Sequence, residues 1–192
     1  MKKAFAKGYQ VDQVVLVYCL NDIGDLLSPQ ADATGRVLAG LDNSGWLLRN
    51  SYMLNLWNHH YKASRDSYLG NYCSFVREAY SGAIWEQQAA RLKAFRDLVQ
   101  AHGGHLAVVT FPFLHALGPN YEYRFIHDKL DRLWLELRVP QLDLLSVYEG
   151  LPPSQVTVNH YDARSNERAN KLAAEAIDRL IQELDTAHAR PN

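Results

Sequence analysis

The run Gln13–Asp22, QVVLVYCLND, constrains the fold of this chain more than any other stretch. Val14–Tyr18 is wholly apolar and rich in valine, Cys19-Leu20 extends it, and Asn21-Asp22 stops it. A short β-branched run bounded by turn residues predicts a strand buried on both faces, the kind found in parallel sheets. Open α/β sheets bind ligands just beyond the carboxyl ends of such strands, so Asn21 and Asp22 sit where chemistry would be. Asn-Asp is also good turn chemistry in its own right.

The remaining periodicity alternates between helix and strand. After a loop-like Asp25–Gly45, helical spacing runs over Trp46–Arg65 and again over Tyr68–Tyr80. The aromatic density from Trp46 to Trp85 reads as core. Ala83–His102 is the clearest helix, with Trp85, Ala89, Leu92, Phe95 and Val99 inward and Gly103-Gly104 closing it. His105–Phe113 (HLAVVTFPF) is a second buried strand, Tyr121–Leu137 a helix, and Val139–Leu145 a short third strand. After Pro152-Pro153, a loop over Ser154–Ser165 leads to a last helix, Asn166–Leu184. Strands alternating with helices predict βαβ units around a parallel sheet. No internal repeat or domain boundary is visible, so 1–192 is expected to be one domain.

Composition removes several function classes. A chain of 192 residues, 47% hydrophobic and 21% charged, suits a globular domain with a real core. A net charge of −1 without a basic run gives no footprint for nucleic acid. No apolar segment approaches the roughly 18 residues that cross a bilayer, and Met1–Gln13 lacks the apolar core of a signal peptide. Cys19 and Cys73 read as small buried hydrophobes rather than a disulfide framework. His59-His60 cannot face one ion, because neighbours on a helix point about 100° apart. No zinc, redox or phosphate-loop motif is present, so no metal or cofactor is expected.

The order of the short motifs is similar to that of the SGNH (GDSL) hydrolases. The chain has a hydrophobic strand ending Asn21-Asp22, a strand ending Phe111-Pro112, and a short strand ending Leu142-Asp143-Leu144-Leu145. An Asp then precedes the last helix in Asp162-Ala163-Arg164-Ser165-Asn166-Glu167. The resemblance covers nearly the whole chain. It implies a three-layer α/β/α domain whose parallel sheet matches the later part of the SGNH (flavodoxin-like) fold. The segment Gly35–Tyr80 becomes an insertion over the site end of the sheet. It also implies carboxylester or O-acyl hydrolase or acyltransferase chemistry. Asn21 is then the oxyanion donor and Asp162 the acid of a Ser-His-Asp triad. The partner would be an acyl ester or an acylated carbohydrate.

The departures bear on activity. The family's Gly-Asp-Ser nucleophile and its oxyanion-hole Gly would precede the Asn-Asp strand, and no Ser lies before Asn21. Arg164 occupies the position of the catalytic His, or Ser165 does if the D-x-x-H spacing applies. Neither is a base near neutral pH, since Arg stays protonated and a hydroxyl is far too weakly basic. His160 replaces the base only if its loop is rebuilt. Acyl transfer needs a nucleophile, a base, a group that orients the base, and oxyanion donors. The chain is therefore expected to be inactive by itself, either as an N-terminally truncated product or as a degenerate pseudo-enzyme. The alternative is a non-catalytic α/β binding or interaction protein. Without the family's first two strands, Val14–Cys19 would lie at a sheet edge and favour self-association.

Overall fold

A computed structural model describes residues 2–26, 53, 72–159 and 162–188. The chain divides into two compact units, Met1–Leu20 with Ala89–Asn192, and Asn21–Gln88. The first unit holds a three-stranded parallel sheet in the order β1-β2-β3, formed by Gln13–Cys19, His105–Phe111 and Gln141–Asp143. Sheet and helices together make the fold mixed α/β.

The centre of the sheet is β2, not β1. Leu106–Thr110 is buried at every position, because β2 has a strand on each side. β1 pairs in register with β2 alone among the described residues, Gln13 opposite His105 through Cys19 opposite Phe111. Its side chains are mostly half-buried, Val17 is 46% exposed, and Tyr18 is the strand's buried member. The expectation of burial on both faces thus holds for HLAVVTF and fails for VVLVYC. Exposure here follows the number of neighbours, which the two similar compositions do not encode.

The register of β2 begins at the glycine pair. Helix α1 (Lys2–Ala6) precedes β1; α2 (Tyr72–Ser81) and α3 (Ala83–Ala101) precede β2. Gly103 takes φ +78°, the left-handed conformation that closes α3, as anticipated. Gly104 donates to the Val99 carbonyl at 3.1 Å, and a Cβ there would lie 2.6 Å from the Val11 carbonyl oxygen. No side chain fits. The next amide, His105 N–H, donates to the Asp12 carbonyl at 2.8 Å and starts the ladder with β1.

Helix α4, Arg124–Glu136, is shorter at both ends than its periodicity suggested. It buries Ile126, His127, Leu130 and Trp134 on one face. The short α5, Pro153–Val156, leads into an antiparallel pair, β4 (Thr157–Asn159) and β5 (Asp162–Ser165), where a loop was expected. Strands this short have no readable alternation of their own, and their pairing is set by the chain around them. Helix α6, Glu167–His188, then buries Ala169, Ala173 and Ala176. Asn166 caps it: Oδ1 accepts the Ala169 N–H at 3.0 Å, while Nδ2 donates to the Gln155 and Thr157 carbonyls.

In the second unit, Val76, Ala79 and Tyr80 of α2 are buried and the Tyr80 ring lies 5.5 Å from that of Trp85. Of the expected Tyr68–Tyr80 helix, the described part lies in α2, Tyr72–Ser81, while residues 68–71 and all of Trp46–Arg65 but Met53 lie outside the described residues. Among the described residues, no helix is long and apolar enough to cross a membrane.

Candidate functional site

The carboxyl ends of β2 and β3 carry a chain of polar contacts. Asp143 is the last residue of β3 and His127 projects from the buried face of α4. Both carboxylate oxygens of Asp143 lie 2.9 Å from His127 Nδ1, and His127 is only 2% exposed. An ionised carboxylate can only accept, so Nδ1 carries a proton and donates it to Asp143. The Tyr121 hydroxyl sits 3.2 Å from Nε2 and accepts the Phe113 N–H at 3.0 Å. Asp143 Oδ1 also accepts the Leu145 N–H at 2.9 Å, turning the chain as it leaves β3.

Burial pushes the Tyr121 phenol well above its ordinary ionisation range and the nearby Asp143 charge adds to this, whereas the Phe113 N–H and Arg124 oppose it. A phenol held neutral is not a nucleophile. Burial likewise raises Asp131, against the pull of the 2.9 Å hydrogen bond from Gln141 Nε2. Chemically, Asp143 and His127 fix where the Tyr121 oxygen points. They tie the loop after β2 to α4 and β3.

Tyr121 opens onto a cavity of about 500 Å³ formed by the segments that leave β2 and β3. Its lining includes Leu117, Tyr121, Arg124, Leu145, Glu149 and Leu151. This is the end of a parallel sheet at which ligands bind, and the volume lies within the usual range for small-molecule sites. The sequence reading missed it. One signal was legible: His127 lies three and seven residues before Leu130 and Trp134, which places a histidine on the apolar stripe of α4.

Asp162 and Arg164 are brought together directly. Both are on β5, where alternate side chains share a face. Arg164 Nε donates to Asp162 Oδ1 at 2.9 Å and Nη2 donates to Oδ2 at 2.6 Å, a two-pronged ion pair. The guanidinium holds the Asp162 carboxyl down to about 2. Asp162 lies four residues before the N-cap of the last helix, a position that Asn166 fills. Asn21 is exposed in the 3-10 turn Leu20–Leu26, directly after β1, and belongs to the second unit. His160, His59 and His60 lie outside the described residues. Among the described residues no three His, Cys, Asp or Glu side chains group as metal ligands. Comparison with family models, curated proteins and solved structures finds no match to this chain.

Proposed function

We propose that this chain is an SGNH-hydrolase-like α/β domain that binds an acyl ester or acylated carbohydrate without hydrolysing it. One observation carries the reading: the carboxylate at the triad-acid position, Asp162, is clasped by Arg164, which stands where the resembled family has its His. A guanidinium stays protonated at any physiological pH and accepts no proton from a nucleophile. The pair therefore keeps the acid ionised and engaged but leaves the base function empty. Asn21, exposed directly after β1, supports the oxyanion-donor position. A lone donor stabilises a developing oxyanion only when something attacks the carbonyl.

The test is turnover of p-nitrophenyl acetate and butyrate by the purified chain. Neither the natural chain nor Arg164→His should exceed the buffer rate, since the variant gains a base but no nucleophile. Hydrolysis that Asn21→Ala abolishes would overturn the reading.

A further inference from the structure

We infer that the cavity between the segments leaving β2 and β3 binds a small organic anion with an apolar body, with Arg124 as the charge partner. The cavity is lined by aliphatic and proline side chains, Leu117, Leu145 and Leu151 among them, and by Tyr121, Arg124, Tyr148 and Glu149, the Tyr148 hydroxyl being engaged by the Ala169 carbonyl. Arg124 is exposed and makes no ion pair among the described residues. Arg124 and Tyr121 both line this cavity, three residues apart where the segment leaving β2 enters α4. Arg124 is also the first residue of α4, whose first turn contains no acid, and a cation there is opposed by the helix dipole. Nothing in α4 itself is gained by that charge. An anion in the cavity would gain from it through a charge-assisted contact with the guanidinium.

Glu149 makes the proposal sensitive to sign. It lines the same cavity without forming an ion pair with Arg124, so its carboxylate repels the head group that Arg124 attracts. Removing one charge should weaken binding and removing the other should tighten it, a pattern that loss of packing does not produce.

The experiment is a ¹⁵N-amide NMR titration of the full chain with sodium hexanoate, hexyl phosphate and, as the neutral control, hexanol. The proposal expects at least one anion to give saturable shifts at Leu117, Tyr121, Arg124 and Leu151. Saturation by hexanoate alone identifies a carboxylate head group, and saturation by hexyl phosphate alone a phosphate ester. Hexanol should bind about tenfold more weakly than the anion, the equivalent of one lost charge-assisted contact. Arg124→Gln should weaken the anion by about tenfold and Glu149→Gln should tighten it. Both side chains are exposed, so an unchanged melting temperature shows that each variant folds. Hexanol binding as well as the anions, an Arg124→Gln variant that binds like the natural chain, or no saturable shift with either anion would overturn the proposal. It stands apart from the ester assay, which reads Asn21, Asp162 and Arg164 instead.

Discussion

Replacing Asp143 with alanine should cost this protein more stability than removing any other acidic side chain described in the sheet unit. Two donors lose their acceptor at once: His127 Nδ1–H, whose ring is buried, and the backbone N–H of the buried Leu145. A hydrogen bond to a charged group contributes about 1.5–3 kcal/mol, and a buried donor left without a partner costs a similar amount. The Asp143 side chain is 23% exposed, so water recovers part of the loss and the lower bound applies to each bond. Two bonds at that bound give about 3 kcal/mol. For a chain of this length each kcal/mol lowers Tm by about 2–4 °C, so Asp143→Ala should melt roughly 6–12 °C below the natural protein. Circular dichroism reads the shift. NMR supplies a local readout, because the His127 Nδ1 proton should lose its downfield signal even under conditions where the variant stays folded. Asp143→Asn retains an acceptor for Leu145 and should fall between the two. A melting point within about 2 °C of the natural protein, or a persisting Nδ1 proton signal, would refute the assignment of these bonds as stabilising.

Two further outcomes can be checked. The Asp162 carboxyl should titrate in a ¹³C-detected experiment with a midpoint of about 2 and return toward its ordinary value of 3.8 in Arg164→Ala. Because the folded value is depressed, the pair's contribution is complete above the ordinary value and disappears as pH falls through about 2; a natural-chain midpoint near 3.8 would contradict the ion pair. Val17, 46% exposed on a strand that pairs only with β2 among the described residues, should promote association at tens of micromolar. Sedimentation should show that Val17→Lys reduces this association, and a monomer in both proteins would remove the strand from consideration as a contact.

What the sequence determined by itself is the identity and order of the longer elements. The run HLAVVTF is apolar at consecutive positions, and α4 repeats its apolar residues at helical spacing through Ile126, Leu130 and Trp134. Such patterns are local records of burial, and Gly103-Gly104 marks the end of α3 because few other residues tolerate that backbone. Tertiary structure alone decided which apolar strand became the centre. β1 and β2 read alike, and the difference between them is that β3 pairs with β2. It also decided the polar partnerships. Asp162 reads equally well as a helix-entry residue or a triad acid, until β5 places the Arg164 guanidinium against it. His127 gave away its burial through its spacing but not its partner, because Asp143 reaches it only when β3 aligns beside β2 and α4 packs against β3. Periodicity records whether a side chain faces water. Which group it meets when it does not is a property of segments distant in the chain, and no window along the sequence contains both.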